Sequence, residues 1–184
     1  MLTLQITLGA LLTLGFTLAS WRSLGNPNSH GFYRTFGFVA TSILLVINLP
    51  HWVDMTHPIQ QIISFTLLII SLIFILAGAI QLRRAGGYAR RENSPETLTF
   101  EETAHLVTSG IFRYVRHPMY SSLLFLTWGT VFKRLTIWTV ILCGIATVAY
   151  ILTAYFEERE NLATFGEPYA EYRTRSQRFI PFIW

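Results

Sequence analysis

Five stretches of the chain carry no Asp, Glu, Lys or Arg: 1–21, 35–53, 55–82, 117–132 and 135–156. Crossing the hydrocarbon takes about 20 apolar residues at about 1.5 Å rise each, so four of the five are long enough to span a bilayer. The stretch that begins at His117 is short, and reads either as a tilted span or as half of a tight helical hairpin with the stretch that follows. Helices are predicted at Leu2–Trp21, Phe32–Leu49, Ile59–Leu82, Pro118–Phe132 and Thr136–Phe165. The turn Leu24-Gly-Asn-Pro-Asn28 separates the first two, Pro50 ends the second, and Gly86-Gly87 breaks the chain after the third. At about 45 Å the fifth exceeds the roughly 30 Å of hydrocarbon, so Glu157 to Phe165 should project beyond it. Gly166 suits the left-handed position just past a helix end, and Pro168 the first turn of a further short helix, Tyr169–Thr174. The tail from Phe179 to Trp184 is apolar again and is expected to pack on the membrane face.

The pattern predicts an all-α fold: a polytopic membrane helical bundle of about five transmembrane helices. It reads as one domain over 1–184, with three spans in 1–82, a loop in 83–116, a helical hairpin in 117–165 and a tail in 166–184. The loop and the tail are expected to form the site. The loop is charged and too long for an idle connection. Thr99 with Glu102 resembles a capping box within it, and Gly110 a stop or close-approach site. The first apolar stretch is not read as a secretion signal, because Arg22 follows it instead of preceding it.

Composition fits this reading. The 184 residues are 52% hydrophobic and 13% charged, with mean hydropathy +0.43, too little charge to cover a soluble domain. With five spans and the amino terminus outside, only Lys133 and Arg134 of the fourteen basic residues face outward. Basic residues near span ends favour the cytoplasm, so the tail and the site are expected there. Orientation and contact with anionic membrane lipid account for most of the arginines. No basic patch with interleaved aromatics points to nucleic acid. Cys143, alone in an apolar stretch, reads as a small buried hydrophobe, and no metal-ligand cluster accompanies it.

Two clusters could carry chemistry. Gly110 to Tyr120 holds Arg113, Arg116 and His117 before Pro118, the expected first position of a helix. Unpaired N–H groups at that helix end, with Arg116 and His117 beside them, could receive a carboxylate. The same residues also suit an interfacial belt of arginine and tyrosine. The second cluster, Glu157-Glu158, sits where the fifth helix leaves the membrane. Adjacent carboxylates point about 100° apart on a helix, so one can face inward to bind a cation or to pair with Arg113 or Arg116. His51 and His57 lie at the other end of the spans and read as interfacial. His105, in the loop, is a weaker candidate. No Gly-x-Gly-x-x-Gly or Walker-type loop is present.

Taken together, Leu106-Val-Thr-Ser-Gly110, Arg116-His-Pro-Met-Tyr120, Glu157-Glu158-Arg159, Phe165-Gly-Glu-Pro-Tyr-Ala-Glu-Tyr-Arg173 and Ile180-Pro181 resemble the isoprenylcysteine carboxyl methyltransferase family, in a divergent bacterial-type branch. The resemblance covers roughly residues 104–184. It implies S-adenosylmethionine as cofactor, bound at the cytoplasmic interface by Ala104, His105, Leu106, Val107, Phe112, His117, Pro118, Met119, Tyr120 and Glu157. It also implies Glu157, Arg116 and His117 as the catalytic set, with membrane lipid and a small lipophilic or thiol acceptor as partners. Thr153 stands where the isoprenylcysteine enzymes place an arginine for the substrate carboxylate. A hydroxyl cannot neutralise that charge, so a neutral or thiol acceptor is expected instead. Ser122 and Asn161 also depart from the family pattern. Two rival readings are a membrane reductase of the sterol-reductase kind, which shares a His-Pro-x-Tyr segment but binds a nicotinamide cofactor, and a non-catalytic membrane scaffold.

Overall fold

The computed structural model describes residues 2–53, 55–85 and 105–183. Within them the chain is helical. It forms α1 (Leu2–Ala19), α2 (His30–Asn48), α3 (Pro58–Ala85), α4 (Pro118–Val131), α5 (Ile137–Phe165) and α6 (Glu167–Arg175), with short 3-10 turns at Ser23–Gly25, Leu49–His51 and Gly110–Arg113. No strand occurs among the described residues, only a single parallel bridge between Val115 and Gln177. The predicted helices are all present, with ends shifted by a few residues. Gly86-Gly87, the Thr99–Glu102 capping motif and most of the expected loop lie outside the described residues.

Three helices (α2 with its 3-10 extension, α3 and α5) are long and apolar enough to cross a membrane, and α1 is apolar but shorter. At about 1.5 Å per residue, the 14-residue α4 measures only about 21 Å. The bundle has a membrane protein's inside-out economy. Ile59, Ile62, Ile69, Leu72, Ile73 and Leu76 of α3 are exposed, while its buried positions are Gln61, Ser64, Ser71 and Gly78. These four small or polar residues lie three and seven apart, on one face, and that face meets α4. Ser64 donates to the Gly129 carbonyl at 2.7 Å and Ser71 to the Ser122 carbonyl at 2.7 Å. Small residues let two backbones approach closely where lipid removes the hydrophobic incentive to associate. A Cβ on Gly129 would lie 3.1 Å from Leu68 and 3.2 Å from the Ser64 carbonyl.

α2 packs on α5 through Gly37, over which the Tyr150 ring lies. The Tyr150 hydroxyl meets Thr41 at 2.8 Å, and Thr41 meets Thr127 at 2.9 Å, so one buried chain of hydroxyls links α2, α4 and α5. Thr136 caps α5 and exchanges bonds with Thr139, a capping box built from two threonines. At the other end Gly166 takes φ 61°, as expected of a helix stop, but with ψ −136° it occupies a positive-φ region open essentially to glycine alone rather than the left-handed helical one. That geometry turns the chain sharply into α6, where Pro168 occupies the first turn. α6 and the tail thereby return to the end of the bundle where α4 begins.

Candidate active site

The site is assembled where the tail docks on the start of α4. Residues 114–117 and 177–178 run side by side: Gln177 N–H donates to the Tyr114 carbonyl, Arg116 N–H to Gln177 and His117 N–H to Arg178. The Ser121 hydroxyl donates to the Phe179 carbonyl at 2.7 Å, fastening the next turn. Gly110 adopts φ +62°, a turn conformation that favours glycine, and its Cα faces the end of the Gln81 side chain, with Oε1 2.7 Å from where a Cβ would lie. Gln81 in turn donates to the Ser109 hydroxyl, which ties the end of α3 to this corner.

The two adjacent carboxylates separate as their helical phase requires. Glu158 is 2% exposed. Arg178 grips it with two parallel bonds of 3.0 and 2.8 Å, and Arg116 Nε donates to it at 3.0 Å. His117 Nε2 lies 3.3 Å from it, and Arg173 3.7 Å. Such a buried charge is stable only because it is multiply paired. Arg116 also donates to the carbonyls of Arg173 and Ser176, so one guanidinium ties the approach to α4 to α5, α6 and the tail. Its own hydrogen bonds to Glu158 hold the Arg178 guanidinium protonated beyond its ordinary range.

Glu157 points the other way, into a cavity of about 240 Å³, with its carboxylate 3.7 Å from His117 Nδ1. His117, 5% exposed, therefore stands between the two carboxylates, one on each side of its ring. Tyr120 stacks on it at 5.6 Å between ring centres.

The cavity gathers most of the residues expected from the sequence. Leu106, Val107, Phe112, His117, Pro118, Met119, Tyr120 and Glu157 all line it, and so does Arg116. His105 is exposed and does not line it, and Ala104 lies outside the described residues. Of the two clusters, the structure brings Arg116-His117 and Glu157-Glu158 together, while Arg113 lies over the Tyr114 ring and makes no ion pair with either carboxylate.

Further residues line the cavity that the sequence reading did not place in the cofactor set. Asn161 and Phe165 follow Glu157 at intervals of four on α5, so the helical period alone puts them on the same face. Tyr169 and Tyr172 come from α6. Burial pushes both phenols up, Tyr172 to about 12. The Tyr172 hydroxyl donates to the Phe112 carbonyl at 2.5 Å, so α6 holds the turn that forms one wall. Phe38, Ile75 and Leu123 extend the lining toward the middle of the bundle. Thr153 is fully buried, donates to the Ala149 carbonyl at 2.7 Å and does not reach the cavity.

The arrangement can receive a ligand with both polar and apolar parts. It offers one carboxylate with room beside it, one imidazole, the amino end of α4 and several aromatic rings. The only cation in the described lining, Arg116, is committed to Glu158. A positively charged ligand group thus finds an uncompensated carboxylate, while a ligand carboxylate finds the helix end and the imidazole.

Comparison with known proteins places the chain among methyltransferase relatives. The family model described as phospholipid methyltransferase matches residues 59–167. A methanethiol S-methyltransferase of Crocosphaera subtropica is 25% identical over 170 residues, covering 88% of this chain and 64% of that protein. The human protein-S-isoprenylcysteine O-methyltransferase is 33% identical over 113 residues, covering 55% of this chain and 37% of that protein. Methanethiol S-methyltransferase 2 of Bradyrhizobium diazoefficiens is 38% identical over 75 residues, 40% of this chain and 28% of that protein. The chain spans less than two thirds of the length of each of these relatives. No solved structure matches.

Proposed function

The chain belongs to the phospholipid methyltransferase family, and from that premise and the cavity we propose that it transfers a methyl group from S-adenosylmethionine to a lipophilic or thiol acceptor reached through the membrane. The observation that carries the proposal is the division of labour between neighbours. Glu158 is consumed by Arg116, His117 and Arg178, whereas Glu157 faces open space among apolar and aromatic side chains.

The residues fit the cofactor's chemistry. Glu157 would pair with its positive groups, and His117 with the amino end of α4 would take its carboxylate. Leu106, Val107, Phe112, Met119 and Tyr120 supply apolar and aromatic surface for the remainder. His105 and Ala104, adjoining in sequence, complete the set that the family implies. Arg116 acts as a positioning residue, because its bonds to Glu158 and to the tail fix His117 and the docked chain. When bound, S-adenosylmethionine supplies an electrophilic methyl carbon for in-line displacement. The chain contributes orientation and exclusion of water, since the reaction needs little acid–base help.

The character of the acceptor follows from the inner wall. Phe38, Ile75 and Leu123 are apolar, and Thr153 keeps its hydroxyl for its own helix. Nothing in that wall would neutralise a substrate carboxylate, which favours an uncharged lipophile or a small thiol. The relatives named for methanethiol are consistent with this choice. Five crossings are also part of the proposal, α1 and α4 included, with the amino terminus outside and the cavity at the cytoplasmic face where the arginines gather.

Thermal unfolding in detergent tests the reading. S-Adenosylhomocysteine should raise the melting temperature in a concentration-dependent manner. Stabilisation by NADPH instead would favour the reductase, and by neither ligand the scaffold. Incubating the purified chain with labelled cofactor and either small thiols or host lipids would then identify the acceptor.

A further inference from the structure

At the opposite end of the helices a second cavity, of about 350 Å³, opens between the turn after α2, the start of α3 and the loop joining α4 to α5. It is separate from the proposed methyl-transfer site and owes nothing to it. Its wall carries Lys133 and Arg134, together with His51, His57, Thr56 and Gln60. No Asp or Glu among the described residues lines it, and none forms an ion pair with Lys133 or Arg134. These are also the two basic residues that the five-span reading of the sequence sets apart from the other twelve.

Lys133 is 4% exposed and rigidly placed. Its ammonium donates to Gln61 Oε1 at 3.0 Å and to the Trp52 carbonyl at 3.2 Å, and sits 3.4 Å from the centre of the Phe65 ring. Its partners among the described residues are all neutral, and its charge raises the potential of the cavity beside it. Arg134 is exposed, and one nitrogen of its guanidinium donates to His51 Nε2 at 2.9 Å. That bond uses one of its five N–H groups and leaves a fork suited to two oxygens of one anion. The amino end of α3, beginning at Pro58, adds the positive end of a 28-residue helix. Around the cavity the apolar side chains Ile59, Ile137 and Trp138 are exposed, as expected where acyl chains begin.

We propose that this cavity binds a phosphate group, with the Arg134 fork as primary contact, His57 as a flanking donor and Lys133 as a fixed buried charge. The exposed apolar rim favours a phospholipid headgroup over free phosphate as its source. Bound lipid at that position would brace the junction of α3, α4 and α5.

The test uses the full chain in a neutral maltoside detergent, with unfolding temperature as the readout. Dioleoylphosphatidylglycerol should stabilise it saturably, whereas dioleoylglycerol, with the same tails and no phosphate, should not. Removing the primary and flanking contacts together, Arg134→Gln with His57→Gln, should weaken the apparent affinity about tenfold or more. Arg134→Lys should recover part of the loss, and Arg175→Gln, at the other end of the bundle, should leave binding unchanged. Saturable stabilisation by inorganic phosphate with the same variant sensitivity would support the site with free phosphate as its source. Equal stabilisation by dioleoylglycerol, stabilisation by neither phosphate probe, or wild-type affinity in the double variant would overturn it. If the double variant does not fold, His57→Gln alone decides, and wild-type affinity for phosphatidylglycerol in it removes His57 from the site and overturns the proposal as stated.

Discussion

Glu157 and Glu158 are chemically identical neighbours with opposite surroundings, and substitution should separate them. Glu158→Gln removes the charge that three arginines and His117 converge on, and leaves the guanidinium of Arg116 buried without its counter-ion. Breaking such a pair from one side costs about 3–5 kcal/mol, so this variant should melt markedly lower. Glu157→Gln should melt like the parent and lose cofactor binding. His117→Ala should weaken cofactor binding more than Arg90→Ala, and equal effects would favour the interfacial-belt reading. The sequence showed that one of the two carboxylates can face inward while the other does not, because adjacent helical positions diverge. It could not show that the buried one was Glu158. Its partners Arg173 and Arg178 come from beyond Gly166, and only the turn there brings them back. For the same reason those arginines read from sequence merely as orientation charges.

Among the elements, α3 and α4 meet through small residues, and α6 closes the site. Gly129→Val would push a branched side chain into Leu68 and the Ser64 backbone, at an expected cost of about 1–3 kcal/mol, measurable by denaturant or heat in micelles. Exposed surface positions on α3, such as Ile69, should tolerate the same enlargement. The helices themselves were legible because charge-free stretches of spanning length admit few alternatives in lipid. Their faces were less so, since α3 is apolar around most of its circumference and only Gln61, Ser64, Ser71 and Gly78 mark its contact side.

α6 gives a prediction in pH. Its Tyr172 phenol is neutral and donates to Phe112, and burial raises its folded value to about 12, above the unfolded value near 10. A raised value means that the folded state keeps the proton longer. The contribution is therefore complete below about pH 10 and is lost as pH rises toward about 12. The melting temperature should fall over that window, and Tyr172→Phe should flatten the slope while lowering stability at pH 8 by about 1 kcal/mol.

On the scale of the whole molecule, the chain builds one chemical end. The tail travels back along the bundle only as far as the start of α4, and there it completes both the buried ion cluster and the cavity wall. Of the ten residues that family resemblance implied for the cofactor, eight line that single cavity. The resemblance could supply those positions because the short motifs are local in sequence. The period of α5 alone aligns Asn161 with Glu157, whereas the contributions of Tyr169, Tyr172 and Phe38 depend on packing between helices and became visible only in three dimensions. Calorimetric titration of S-adenosylhomocysteine into the purified full chain, beside Glu157→Gln, addresses the central point directly. Saturable one-to-one binding by the parent, at least about tenfold weaker in a variant of unchanged melting temperature, is the predicted result. Absence of binding by the parent, or equal affinity in the two proteins, would contradict the assignment of the cavity.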